Sequence, residues 1–188
     1  MEINIIIVHY NSSDTIHCLE SLASQTITVN VILVNNASTD HSMDSIRSMK
    51  EKKGLAIQII DSPINGGFAA GNNLALKWAH QHTPKAWNLL LNNDTLLPND
   101  FLETLAGTAK ELSRIYVKPF ALSATEYDFS KQNIRHTGKQ YISIPTGLCF
   151  TTKGIFRIPY LCGACILIDP QAPLLDEDYF LYYEDTDY

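Results

Sequence analysis

The stretch LLLNNDT, residues 89–95, runs three leucines straight into two amides and a carboxylate. A leucine triplet suits a strand buried on both faces. An unpaired carboxylate buried there would cost several kcal/mol or be forced to take up a proton. Asp94 is therefore expected where such a strand ends, facing a cleft instead of the core. A lone carboxylate turned toward a phosphate would repel it, and a divalent cation between the two removes the conflict. Mg2+ or Mn2+ typically sits on one or two carboxylates together with substrate phosphate oxygens and water. A turn or a helix cap is the plainer use of an aspartate in this position. A second concentration of acids closes the chain: Asp176, Glu177, Asp178, Glu184, Asp185 and Asp187, with no Lys or Arg among residues 176–188. Tyr179, Phe180, Tyr182, Tyr183 and Tyr188 are interleaved with them, which points to a folded segment more than to a bare tail. Taken alone, the cluster suits a solvated face or a helix start as well as a site.

The elements that must position these groups follow the hydrophobic pattern. INIIIV (3–8), VNVILV (29–34), LAIQII (55–60) and AWNLLL (86–91) read as strands. Asn11, Ser12 and Ser13 can cap a helix bearing Ile16, Leu19, Leu22 and Ala23 on one side. Met43, Ile46 and Met49 recur at helical spacing before Gly54, and a further helix runs from about Phe68 to His80. Pro98, Asp100 and Glu103 resemble the opening of a helix that carries Leu102, Leu105, Ala109 and Leu112. Strand and helix thus alternate with the period of a βαβ unit, which builds a parallel sheet covered by helices on both faces. From about residue 113 the pattern gives way to short β-like pieces, QYISI, LCF and ACILI, consistent with mixed or antiparallel structure laid against that sheet.

Ligands of open α/β sheets bind beyond the carboxyl ends of the strands. The loops that should gather there are HYNSSD (9–14), NNASTD (35–40), DSPINGGFAAGNN (61–73) and NNDT (92–95), all polar. The first lacks glycines, so the dinucleotide fingerprint is absent from its usual place, and no Walker motif occurs. Gly66, Gly67 and Gly71 suit either a turn with close helix packing, or a backbone that approaches an anion at a helix N-terminus.

Composition narrows the classes. With 188 residues, 45 % of them hydrophobic, the chain can bury a real core. The net charge of −6 is concentrated in the last segment, and no basic stripe exists to follow a nucleic acid backbone. No apolar run reaches membrane-spanning length, and the N-terminus lacks the basic region and cleavage site of a secretory signal. Cys18, Cys149, Cys162 and Cys165 are too scattered for a disulfide scaffold. The lone C-x-x-C lies in an apolar run without the second pair a zinc site would want, so buried thiols are expected. The six histidines form no ligand spacing. Cytoplasm is the default compartment.

The motifs, in order, resemble family 2 of the glycosyltransferases, with the GT-A fold. IIIVHYNSSDTIHCLESLASQT resembles the family's N-terminal strand–loop–helix, and VILVNNASTDHS its nucleotide-binding segment. NGGFAAGNN resembles the stretch after its third strand. LLLNNDT stands where the family carries its DxD motif, and LCGACILI and YFLYYEDTDY resemble its later Gly-Ala and acidic xED motifs. The resemblance covers nearly the whole chain, most weakly across 113–158, and comes nearest to a rhamnosyltransferase-like subset.

That resemblance implies a Rossmann-like, mostly parallel α/β sheet flanked by helices, with a mixed C-terminal part, in one domain over 1–188. Residues 1–112 would be the nucleotide-sugar half and 113–188 the acceptor and catalytic half, apparently truncated at the C-terminus. It implies an inverting transferase that moves a sugar from a nucleotide diphosphate to a hydroxyl of a saccharide or lipid-linked acceptor. The ion would be Mg2+ or Mn2+, and the setting the cytoplasm or the inner face of the membrane. Tyr10 would lie against the nucleobase. Asn36 stands where the family often has an Asp that hydrogen-bonds the pyrimidine N–H, and an amide oxygen can accept the same bond. Asp40 would support that loop or the ribose, and Asn65, Gly67 and Asn72 would face the donor. Asn92 and Asp94 are the outer positions of DxD; an amide replaces the first acid, so the metal would rest mainly on Asp94. Asp185 would be the general base. A non-catalytic nucleotide-sugar-binding module is the alternative, because family members usually continue past this acidic motif. A sugar-phosphate nucleotidyltransferase would want a basic glycine-rich loop after the first strand, which HYNSSD does not supply.

Overall fold

Four apolar segments become the strands of one sheet because each alternates two buried faces. In β1 (Ile3–His9) Ile3, Ile5 and Ile7 point to one side, and Asn4 and Ile6 to the other. The computed structural model describes residues 1–49, 55–116, 120–130, 133–136, 140–143, 149–150 and 157–180. In it, β1, β2 (Val29–Asn36), β3 (Leu55–Ser62) and β4 (Trp87–Leu91) are parallel. Ile5 pairs with Val31 on one side and Leu89 on the other. The sheet has six strands in the order β3-β2-β1-β4-β11-β5, with β5 (Ala121–Ser123) and β11 (Cys165–Ile168) antiparallel to their neighbours. The segment after residue 113 thus extends the parallel sheet as well as packing beside it. β6 (Glu126–Tyr127) and β7 (Ile134–His136) form a two-stranded sheet, and β8 (Gln140–Ser143), β9 (Cys149–Phe150) and β10 (Arg157–Tyr160) a three-stranded one.

Helices cover both faces, as the strand burial demands. α1 (Asp14–Ala23), α2 (Ser42–Met49) and α4 (Phe101–Leu112) bury Leu19, Leu22, Ile46, Leu102 and Leu105 against Ile5, Leu33 and Leu89. α3 (Gly67–His82) covers the other face, with Ala75, Leu76 and Ala79 against Ile6, Ile32 and Leu90. Each fully buried Leu or Ile contributes about 1.5–3 kcal/mol relative to exposure. α3 comes close enough for this only because position 71 lacks a side chain: a Cβ there would meet Val8 Cγ1 at 2.7 Å.

The helix starts differ from the sequence pattern. Ser12 Oγ accepts from the Asp14 N–H at 3.3 Å, while Asn11 turns away to another loop. Asp100 sits at the N-cap of α4 without a side-chain capping bond, and Glu103 accepts from Thr26 Oγ1 at 2.9 Å instead of closing a capping box. In both cases a tertiary partner outbids the local one. Gly54, expected to end α2, lies outside the described residues. Cys18 and Cys165 are buried free thiols and Cys162 is half-buried. Burial pushes the Cys165 thiol up to about 12, which leaves it protonated and unreactive. Among the described residues no helix is long and apolar enough to cross a membrane.

Candidate functional site

β1 and β4 are neighbours in the sheet, yet the helix after β1 lies on one face and the helix before β4 on the other. The strand order reverses between them. At such a switch point a crevice opens beyond the strand ends, and α/β sheets take their ligands there. The loops after β1 and β4 flank this crevice, with the loops after β2 and β3 beside them.

Tyr10, the first residue past β1, is 45 % exposed and free to lie against a flat ligand. Asn11 follows with φ 46°, a left-handed conformation that asparagine tolerates better than most residues. Its amide laces the next loop: Oδ1 accepts from the backbone N–H of Thr39 at 2.8 Å and Asp40 at 3.3 Å, and Nδ2 donates to Thr39 Oγ1 at 3.1 Å. Asp40 is exposed and accepts from the Ser42 hydroxyl, and from the Ser42 N–H at 3.1 Å, at the start of α2. These bonds, the hydroxyl one foremost, hold its carboxyl below the usual range.

Around the loop after β3, Asn36, Gly67 and Asn72 each meet partners within the protein. Asn36 is 3 % exposed. Its Nδ2 donates to Asn65 Oδ1 at 2.8 Å and to the Gly67 carbonyl at 3.1 Å, and its Oδ1 accepts from the Gly66 N–H at 3.1 Å. That oxygen thus braces the turn at Gly66. Asn65 Oδ1 also accepts from the Gly67 N–H at 3.0 Å. Gly67 has φ +79°, and a Cβ there would overlap the Phe180 carbonyl. That carbonyl accepts from the Phe68 N–H at 2.9 Å, so the N-terminus of α3 meets a segment of this chain. Asn72 is buried, and its Nδ2 returns to the Phe68 carbonyl at 2.9 Å. Turn geometry and close packing account for the glycines; the amides are spent locally because a buried amide must find partners.

The loop after β4 is built differently. The Asn92 N–H donates to the Ala164 carbonyl at 2.9 Å, so the Gly-Ala stretch before β11 braces it. Asn92 itself is half-buried, with its carbonyl facing Cys18 Sγ at 3.8 Å. Asn93 Nδ2 donates to Thr15 Oγ1 at 3.0 Å. Asp94 is exposed, and among the described residues no basic side chain pairs with it. It is near enough to Cys18 that its charge adds to burial, the larger cause, in raising that thiol to about 12. Among the described residues no group of three His, Cys, Asp or Glu side chains is gathered for a metal. A hard, exposed carboxylate flanked by amides does suit a cation that keeps most of its water and shares phosphate oxygens.

Asp185 lies outside the described residues. The chain leading to it is anchored by a residue that sequence reasoning passed over. Asn73, 1 % exposed, donates to the Leu175 carbonyl and accepts from the Leu175 N–H, at 2.8 and 2.9 Å. It also donates to Glu177 Oε1 at 2.8 Å, and Lys77 reaches the same oxygen at 3.2 Å. The Asn73 bond first, then Lys77, keeps Glu177 below the usual carboxyl range. An asparagine deep in an apolar helix face was the signal available. His9 was also missed: it is wholly buried, bonding Thr15 and Ser42. A histidine ending an apolar strand was its only mark.

Solved structures share this architecture. TarS 1–349 of S. aureus superposes over 98 % of this chain and 53 % of its own with a TM-score of 0.69 at 18 % identity, and its complex with UDP gives 0.68. The fold is therefore of the GT-A type. The profile for Glycosyl transferase family 2 matches residues 4–169, and the chain belongs to that family. A poly(ribitol-phosphate) beta-glucosyltransferase of Bacillus spizizenii is 39 % identical over 83 residues, 42 % of this chain and 13 % of that protein. The low-salt glycan biosynthesis hexosyltransferase Agl10 of Haloferax volcanii is 22 % identical over 202 residues, all of this chain and 60 % of its own length. The chain thus spans less than two thirds of these relatives.

Proposed function

We propose that this chain is the donor-binding and catalytic part of an inverting, metal-dependent glycosyltransferase that builds a polysaccharide or glycolipid. The observation that carries the reading is Asp94: a carboxylate that pairs with no basic side chain among the described residues, exposed at the strand-order reversal of a family 2 fold. The donor is a nucleoside diphosphate sugar. Uridine diphosphate is the first probe, since TarS was solved with UDP and with UDP-GlcNAc. The named relatives transfer glucosyl or hexosyl groups, so the sugar class proposed is a hexose, wider than the rhamnose of the sequence resemblance. The reaction is placed in the cytoplasm, at the inner face of the membrane when the acceptor is lipid-linked.

Tyr10 covers the nucleobase, and the loop held by Asn11 and Asp40 borders the ribose. Asn36, Asn65 and Gly67 set the shape of the donor floor more than they touch the donor. Asp94, with Asn92 beside it, would hold Mg2+ or Mn2+, which when bound would supply Lewis-acid stabilisation of the leaving diphosphate. Asp185 accepts the proton of the acceptor hydroxyl as its oxygen attacks the anomeric carbon. The carbon–phosphate oxygen bond breaks, its electron pair leaves with the diphosphate, and the anomeric centre inverts. General-base assistance of this kind contributes about 10²–10⁴-fold in rate. Residues 1–112 are the donor half and 113–188 the acceptor half of a single domain.

Calorimetry of UDP with and without Mn2+ tests the reading. Affinity that needs Mn2+ and disappears in Asp94→Ala supports it; equal affinity in the variant and the parent overturns the metal role. Asp185→Asn should keep UDP binding and lose transfer, and transfer at the parent rate would remove Asp185 as the base.

A further inference from the structure

His9 is the last residue of β1, and its side chain is fully buried beside the first turns of α1 and α2. Nδ1 lies 2.8 Å from Thr15 Oγ1, and Nε2 lies 2.8 Å from Ser42 Oγ. The neighbours determine which way each bond runs. An ionised carboxylate only accepts, so the Ser42 hydroxyl gives its single proton to Asp40. Ser42 then offers His9 only lone pairs, and Nε2 must carry a proton. At the other end Asn93 Nδ2 donates to Thr15 Oγ1 at 3.0 Å. In a neutral imidazole Nδ1 is then an acceptor, and the Thr15 hydroxyl donates to it. The bonds form one directed relay: Asn93 to Thr15, Thr15 to His9, His9 to Ser42, Ser42 to Asp40. Burial lowers the pKa of His9 against the opposing charge of Asp40, which keeps the ring neutral at pH 7.

The two ends of this relay lie in different walls of the crevice. Asp40 belongs to the loop after β2, on the nucleotide side, and Asn93 immediately precedes Asp94 after β4. We propose that His9, held as the Nε2–H tautomer, is a positioning residue that couples these two loops, so that the grip on the nucleoside and the grip on the metal-bound diphosphate depend on each other. The inference rests on the donor site proposed above. A buried chain of hydrogen bonds that all run one way holds its members in one arrangement.

Imidazole nitrogen NMR on the whole chain tests the direction of the relay without any ligand. The expected spectrum has His9 protonated at Nε2 and bare at Nδ1, and a proton found on Nδ1 overturns it. Calorimetry tests the coupling, as the ratio of UDP affinity with Mn2+ to that without. Thr15→Val keeps the shape and removes the hydroxyl; it should cut this ratio about tenfold, the worth of one coupled hydrogen bond. Thr15→Ser should restore it. Ser42→Ala breaks the relay at its other end and serves where Thr15→Val does not fold. An unchanged ratio in the valine and alanine variants overturns the coupling. A parent chain whose UDP affinity ignores Mn2+ overturns the coupling together with the metal reading of Asp94, while the tautomer result stands by itself.

Discussion

The loops after β2 and β3 and the loop after β4 border one crevice but treat their polar side chains in opposite ways. There the amides are consumed internally: Asn11 reaches over from the loop after β1 to bind Thr39 and Asp40, and Asn36, at the end of β2, binds Asn65, Gly66 and Gly67. In the loop after β4 the backbone is braced through Ala164 and Asn93, and Asp94 is left exposed. A neutral amide can be buried at little net cost once its bonds are made, whereas an ionised carboxylate without a partner must face water or a cation. One wall is thus shaped by its polar groups and the other presents one for use.

The contrast is sharpest for charge. Asp94→Asn keeps the shape of the side chain and should lower Mn2+-dependent UDP affinity by about 10²-fold with an unchanged Tm, as checked by calorimetry and thermal melting. A fall in Tm without a fall in affinity would erase the distinction between the walls. Asn36→Ala should do the reverse. It strands the Gly66 N–H and takes a donor from the Gly67 carbonyl, costing about 1–3 kcal/mol. At roughly 2–4 °C per kcal/mol for a chain of this size, that lowers Tm by about 2–12 °C while the response to Mn2+ persists.

Two smaller effects follow. His9 has its folded pKa lowered from 6.5, so the unfolded chain takes up this proton first as the medium is acidified. Its contribution to stability is complete above about pH 6.5 and is lost as pH falls below that value toward the folded pKa. Chemical denaturation of the parent between pH 7 and pH 5 should show this loss, and His9→Gln should remove that part of the slope. The smallest effect belongs to Lys77, whose pair with Glu177 is half exposed. Lys77→Ala should cost at most about 1 kcal/mol in the same denaturation measurement, because Asn73 continues to hold the segment.

Much of the fold was legible because burial imposes periodicity. The strands at 3–8, 29–34, 55–60 and 86–91, and the helices between them, could be read from apolar spacing alone, since a two-sided core demands continuous apolar strands. The place of Asp94 was legible for the related reason that a carboxylate cannot continue a buried strand. The internal partners of Asn36, Gly67 and Asn72 were not. An asparagine offers the same donor and acceptor to a ligand or to a backbone turn, and only its neighbours decide which receives them. The caps show the same limit: Asn11 and Glu103 carry the right chemistry for their helix starts, but tertiary partners claimed them.

The residue order alone determined that this is an alternating α/β chain whose polar loops gather at one sheet edge, because covalent spacing and the removal of apolar surface from water admit few other arrangements. Tertiary structure decided how those loops are wired. It joined β11 and β5 to the sheet edge, set Phe180 over the start of α3, and brought His9 between Thr15 and Ser42. The contacts of Phe68 with Phe180 and of His9 with Ser42 join residues far apart in the chain, and a hydrogen bond depends on distances that no local pattern encodes.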